Sequence, residues 1–544
     1  MERGLAFLVN EKLPCLIFED DHLLVVSKPA GMNTHSPSSW AGEGLYEWLK
    51  NREPRWSNLA ILHRLDKETS GLMVFGKTRL ANQSLAEQFS NRQVHKEYLL
   101  LTDRNISFRK FTAESGLVRS GEKYLSRPVH AGAERAETRF IARPVGETVG
   151  EGFRLVSAEP ITGKTHQIRV HAAAHGFPIL GDKLYGGTEW PRLCLHSHEL
   201  RFRHPVSKEE MTFSAPADFT ADARQRLRES LLDGQLTNAY RILHGASDGW
   251  PGWHVDRLGD YLLSQSERPL TSAQQAHLAG LLGKFQGRGA YHKILNRHVR
   301  QAVPAGASPQ LALGEAAPAQ FAAIENGLRF ELSFNEGYSV GLFLDQRENR
   351  RRFLTRWIGP AFPLIPSRES PPEVLNTFAY TCAFSVCAAR AGARVTSLDL
   401  SKKYLEWGRR NFALNQLDPA GHEFVFGDVF DWLRRWHRKK RSFDVLVVDP
   451  PTFSQSKASG VFRVEKNYGE LINAALGVLR PGGVLLASTN AAGWKPEDFL
   501  RSIHEAVGRC GREILREQYA PQPFDFPVSR EEPAYLKTAW FKIG

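Results

Sequence analysis

The chain has 544 residues and carries 71 Lys+Arg against 59 Asp+Glu, a formal charge of +12. At about 100–200 residues per domain, that length holds two to four compact domains. Hydrophobic content of 42% with 24% charged residues excludes disorder over most of the chain, and no run approaches the roughly 18 apolar residues of a membrane span.

The opening MERGLAFLVNEKLPCLIFEDD lacks the apolar core and small-residue cleavage site of a secretory signal, so a cytoplasmic location is expected. Five scattered cysteines, Cys15, Cys194, Cys382, Cys387 and Cys510, argue against a disulfide framework or a zinc site. Leu16–Phe18 and Leu23–Val26 flank Asp20 and Asp21, the pattern of two strands joined by a tight turn. The HRLDKETSGL stretch puts Asp66 in a loop ahead of the strand LMVFGK. A polar cluster, Thr162-Gly163-Lys164-Thr165-His166-Gln167-Ile168-Arg169-Val170-His171, alternates as a strand with one basic face would. Arg169 on that face could pair with Asp66 and keep it ionised.

Together, HRLDKETSGL, HKEYLLL and GKTHQIRVHAAAHGFPILGDKLYGG, with EDDHLLVVSKPAG and LHSHELRFRHP, resemble the RluA-type pseudouridine synthases over roughly 14–215. The resemblance implies that Asp66 is the nucleophile that severs the uridine glycosidic bond, so that the base can rotate and rejoin through carbon. A uridine must leave its stack to be reached. Arg64 is therefore the candidate to fill the gap, Tyr98 to pack on the flipped ring and assist proton transfer, and Arg169 to hold Asp66. No cofactor is expected for this half. Lys164 stands where the family often has Arg. The chain starts almost directly at this block, so the small RNA-binding module at the front of some relatives is expected to be missing.

Past a break at Pro216–Glu229, residues of roughly 223–330 suggest a small α+β unit with strands near Tyr261–Leu263 and Leu328–Leu332. The Ala/Pro/Gly-rich segment Arg300–Phe321 inside it reads as a loop or linker. After about 370, VLNTF, VTSLDL, EFVFGD, DVLVVDPP and GGVLLAST alternate with helical runs, which implies a doubly wound parallel sheet. Asp399 closes the second strand, as suits the hydroxyl pair of a ribose in NAD or S-adenosylmethionine. The loop Asn376–Ser385 has no GxGxxG, which leaves a pyrophosphate cradle unsupported and favours S-adenosylmethionine. Asp428 and Asp449 end the next two strands, and Pro450-Pro451 fix a rigid turn that can present carbonyls and an aromatic face to a planar base.

VGLFLDQRENRRRFL, VLNTFAYTCAFSV, YLEWGRRNFALNQL, DPPTFSQSK and LRPGGVLLASTN resemble the class I large-subunit ribosomal RNA methyltransferases over roughly 240–544. The resemblance implies cofactor contacts from Asn376, Tyr380, Thr381, Asp399, Asp428, Asp449 and Gln346. It also implies 23S rRNA as the partner, with transfer RNA open for the first half. Two branches are close. Cytosine carbon five needs a thiolate nucleophile, and the late strand Ala487-Ser488-Thr489-Asn490 has none; guanine N7 has its own lone pair, so the guanine branch is expected. Cys382-Ala383 replaces the glycines usual after Thr381. If that substitution abolishes cofactor binding, the second half would be an RNA-binding appendage to a live synthase. The run Arg434–Arg441, six cations around Trp436, is a solvated loop or else a phosphate contact with base stacking.

The expected architecture is multidomain, α+β and α/β. It comprises a mixed-sheet pseudouridine synthase domain (1–222), a small α+β linker domain with an RNA-binding role (223–330) and a Rossmann-like methyltransferase domain (331–544).

Overall fold

A computed structural model describes residues 12–38, 43–129, 134–144, 152–295, 308–336, 339–365, 370–456, 460–529 and 531–544. The expectation that the N-terminus is free of a signal falls largely on residues 1–11, outside the described residues. No described helix is long and apolar enough to cross a membrane.

The first block is built on one mixed sheet. Its strands run in the order Leu16–Glu19, Leu23–Lys28, Ser70–Gly76, Leu195–Arg203, His95–Thr102, Arg154–Pro160, Glu134–Arg143, Lys110–Ser120, Lys123–Arg127. Among the described residues of this sheet only Ser70–Gly76 and Leu195–Arg203 pair in parallel. Ser70–Gly76 is buried along its whole length, as a strand covered on both faces must be. Gly71 in it has φ +112, and a Cβ there would run into the backbone of Ser197, so the close approach of the two strands requires glycine.

The segment expected to be a basic strand is a helix, Gln167–Ala174. His166 ahead of it sits at φ +55 and breaks the extended chain. Over eight residues, alternation and helical periodicity both bury Ile168 and Val170, and the helix wins by also burying Gln167, Arg169 and His171 against polar partners.

The middle block is a five-stranded sheet, Ala239–His244, Trp253–Leu258, Tyr261–Ser266, Gly289–Ile294 and Gln310–Gly314. The crossover helix Ser272–Lys284 starts at a capping box between Thr271 and Gln274. Gln310–Gly314 lies within the segment expected to be a linker; it pairs antiparallel with Gly289–Ile294, and pairing overrides its small-residue composition. Residues 300–307 of that segment lie outside the described residues.

In the last block the strand order is Glu423–Phe426, Arg394–Asp399, Glu373–Thr377, Phe443–Val448, Leu479–Thr489, Lys537–Ile543, Ile514–Tyr519. The first five are parallel and Lys537–Ile543 is antiparallel. Alternation splits the strands between two cores: Val374, Val395, Val445 and Val447 face the helices Ala383–Arg390 and Lys402–Leu414. Leu375, Leu398, Leu446 and Val448 face Val429–Arg438, Val464–Leu476 and Pro496–Arg509. This is the doubly wound sheet the sequence implies, and its strand ends converge on one edge.

Candidate active sites

In the first block, Asp66 follows Leu65, whose N–H and carbonyl both bond Thr34 Oγ1 at 3.2 and 2.8 Å. The same loop is clamped from beneath by buried Lys28, whose Nζ donates to the carbonyls of Pro29, Met32 and Lys67 at 3.0, 2.7 and 3.1 Å. Burial pushes the Lys28 pKa down to about 7, partly opposed by Glu68 and Asp66.

Asp66 keeps 29% of its side chain exposed, with Arg169 Nη1 at 3.4 Å and His166 Nε2 at 3.7 Å from Oδ2. The pairing anticipated from sequence is thus present, but Arg169 has a stronger partner. Its Nε and Nη2 each donate at 2.8 Å to Asp182, whose side chain is fully buried. A bidentate pair fixes the guanidinium plane and leaves Nη1 aimed at Asp66. Tyr185 covers the guanidinium at 5.1 Å and bonds His166 Nδ1 at 2.8 Å. Sequence reasoning does not single out Asp182, Tyr185 or His166. The GDKLYGG stretch that holds the first two carries the resemblance but gives no spacing signal.

Tyr98 is buried and its phenol is pushed up to about 12 by burial, against a hydrogen bond with Ser197 and with Asp66 adding to the rise. The group is therefore a protonated phenol at neutral pH, beside a carboxylate. Arg64 is exposed at the rim of the loop. His63 faces away: burial drives its pKa down to about 3, and it stacks on Phe89 and accepts from Val74 N.

At the edge of the parallel sheet, Asp399 takes Tyr380 N on Oδ2 and Ser401 N on Oδ1, both at 2.8 Å. Burial raises its pKa, while those backbone bonds hold it down. Asn376 is buried and donates to Ser385 Oγ at 2.9 Å. Thr381 Oγ1 donates to Gly341 O at 2.6 Å, and Asn411 donates to Thr381 O at 2.9 Å. Three non-glycine residues of this loop, Phe378, Tyr380 and Cys382, lie at φ +54, +49 and +63, so the loop stores backbone strain. Asp428 caps the helix Val429–Arg438 through Asp431 N.

Asp449 is joined to Gln346, whose Nε2 donates to Asp449 Oδ2 at 3.2 Å and to Ser488 Oγ at 2.8 Å. Asn349 fixes the Gln346 carbonyl at 2.7 Å. Burial, helped by the charge of Asp345, lifts Asp449 to about 6. Gln346 and Arg347 are buried, and Asp345 accepts from Tyr535 Oη at 3.0 Å. The donor set fits S-adenosylmethionine: an acid at the second strand tip for vicinal hydroxyls, and a loop with neither phosphate-cradling glycines nor a cation. Trp436, by contrast, is buried against Phe443 and is no stacking platform. Arg441 is tied to Glu423, and Arg434, Arg438, Lys439 and Lys440 are exposed.

Comparison with known proteins finds a family for each of the two blocks. Residues 22–174 match the RNA pseudouridylate synthase model, and residues 266–534 match that of S-adenosylmethionine-dependent methyltransferases. A ribosomal RNA large subunit methyltransferase of Deinococcus radiodurans is 33% identical over 350 residues, spanning 62% of this chain and 81% of its own. Ribosomal RNA large subunit methyltransferase I of Escherichia coli is 31% identical over 319 residues, spanning 58% and 76%. A methyltransferase crystallised with S-adenosylhomocysteine is 28% identical, with a TM-score of 0.50 over 63% of this chain and 87% of its own. The chain belongs to the S-adenosylmethionine-dependent large-subunit ribosomal RNA methyltransferases and joins to that fold an RNA pseudouridylate synthase domain, two RNA-modifying enzymes in one polypeptide.

Proposed function

We propose that the chain isomerises a uridine to pseudouridine and methylates guanine N7, both in 23S rRNA, with units at 1–222, 223–330 and 331–544 and a cytoplasmic location. In the first unit, Asp66 attacks the target uridine, Arg169 orients it, Tyr98 packs on the flipped base and Arg64 occupies the vacated stack. In the last, Asn376, Tyr380, Thr381, Asp399 and Asp428 hold S-adenosylmethionine, and Gln346 and Asp449 border the transfer. The cofactor supplies an electrophilic methyl group. Guanine N7 attacks with its own lone pair, so placement suffices and the residues need remove no proton.

The position of the thiols supports the choice of base. Methylation at cytosine carbon five requires a thiolate at the base, and the two cysteines nearest the cofactor are poor candidates. Burial raises the Cys382 thiol to about 12 and pushes Cys387 up as well; Cys382 packs against Gly408. Asn490, at the mouth of the late strand, is exposed. Nucleoside mapping of large-subunit RNA from cells with and without the chain tests the reading. A chain-dependent 7-methylguanosine and a chain-dependent pseudouridine are expected, and 5-methylcytidine in place of the former would overturn the guanine assignment. The strained Cys382 favours one alternative, an inert methyltransferase half that only binds RNA; calorimetry with S-adenosylmethionine separates the two.

A further inference from the structure

The cofactor edge and the substrate edge of the methyltransferase sheet can be told apart. Asp399 and Asp449 end strands separated by Glu373–Thr377, which at about 4.8 Å per strand sets them about 10 Å apart. Asp399 is the ribose-side acid, so Asp449 lies toward the reacting base. Gln346 joins Asp449 to Ser488 on the next strand, and the residue before it in the same turn is Asp345. The Asp345 carboxylate is half-buried and tethered by Tyr535. Two residues earlier, Phe343 is 50% exposed, with its ring 5.2 Å from that of Tyr380 in the cofactor loop. An exposed aromatic ring and a tethered carboxylate thus stand in one turn beside the transfer site.

Resting on the guanine-N7 reading, the geometry points to Asp345 as the residue that selects guanine, its two oxygens accepting N1–H and N2–H while the base stacks on Phe343. Guanine is the one standard RNA base with two adjacent donors on its Watson–Crick edge. Adenine, cytosine and uracil each set a lone pair beside a donor, and a carboxylate repels it. The contact also favours the transfer itself. Attack by N7 makes the ring cationic, which makes N1–H a stronger donor. Its bond to Asp345 is therefore tighter in the transition state than in the ground state.

The test uses the full chain and large-subunit RNA fragments with guanosine or inosine at the mapped nucleotide. Inosine keeps N7 and N1–H but lacks the N2 amino group. The native chain should prefer guanosine by about 10-fold or more in kcat/KM, and Asp345→Asn should lose about 10- to 100-fold on guanosine, mostly in kcat, and bring the two substrates within about 3-fold of each other. S-adenosylhomocysteine binding and pseudouridine formation should stay as in the native chain. Asp345→Asn with the native guanosine preference overturns the proposal. If that variant does not fold, the native chain decides: equal rates on guanosine and inosine overturn it, and a preference of 10-fold or more supports it. A mapped product other than 7-methylguanosine overturns the N7 reading and the proposal with it, whereas 7-methylguanosine with an unchanged preference overturns the proposal alone.

Discussion

Asp525 receives both terminal nitrogens of Arg347, at 2.8 and 2.6 Å, with neither side chain exposed. The same carboxylate accepts Arg241 N at 3.0 Å from the middle sheet, while neighbouring Phe524 packs edge-on against Trp48 of the synthase block. One turn therefore links the middle sheet and the synthase block to the helix that follows Gln346. Removing one partner of a buried pair strands the other charge, so Asp525→Ala should cost about 3–5 kcal/mol, and Asp525→Ala with Arg347→Met less. Burial alone would raise the Asp525 pKa; Arg347 outweighs it and leaves the carboxyl below its ordinary value. This stabilisation is complete above the ordinary carboxylate range and is lost as pH falls through the depressed value. Denaturant titrations at several pH values check both points, and a loss under about 1 kcal/mol in the alanine variant would remove Asp525 from this role.

Asp66→Asn should abolish pseudouridine formation and leave RNA binding within a few-fold. Asp182→Asn should be graded: Arg169 keeps its place in the helix but loses the bidentate grip that aims Nη1 at Asp66. A misplacement of about 1 Å costs about 100-fold in rate, with little change in the KM for RNA. Single-turnover tritium release measures it, and methylation by the same preparation should be unchanged. Loss of both activities together would mark Asp182 as merely structural.

Much of this architecture is legible in the sequence, because strand-to-helix alternation and apolar runs such as Phe443–Val448 are local signals. What escapes is non-local. Arg169 and Asp182 are thirteen residues apart, and no periodicity says that a buried carboxylate will take the arginine from both sides. The helix Gln167–Ala174 passes for a strand because eight residues do not distinguish two periods when the polar positions are also buried. Trp436 carries the same lesson: six neighbouring cations suggest a surface, yet the indole fills the space against Phe443. Cys382 is legible in one respect. Its departure from glycine marks a position that the fold holds at φ +63.

Asp449 opposes stability and function. Its pKa of about 6, raised first by burial, means that the native state holds a proton the unfolded chain has lost between about pH 4 and 6, so stability falls as pH rises through that window. At 1.36 kcal/mol per unit, the rise of about 2 units amounts to about 3 kcal/mol at neutral pH. Asp449→Asn should therefore unfold at higher urea concentration near pH 7.5, yet methylate poorly, since the amide still accepts from Gln346 but the charge beside a cationic product is gone. In the native chain, methylation should fall as pH drops through about 6. Equal stability of the two forms at pH 7.5 would contradict the burial argument.

Cys382 and Gly408 form a matched pair. The thiol occupies the space that a side chain at 408 would need, since a Cβ there would lie well inside contact distance of Cys382 Sγ and Cβ. Gly408→Ala should overpack the junction between the cofactor loop and the helix Lys402–Leu414, at a cost of about 1–3 kcal/mol. Cys382→Gly removes a left-handed non-glycine residue, worth about 1–3 kcal/mol of strain, but it also empties the site, so its own effect should be small. The double variant should recover most of what Gly408→Ala loses, because the new methyl group then fills the vacated volume and glycine holds the strained φ. A double-mutant cycle by urea denaturation reads the coupling directly. Simple additivity of the two changes would show that the thiol and the glycine do not share that space.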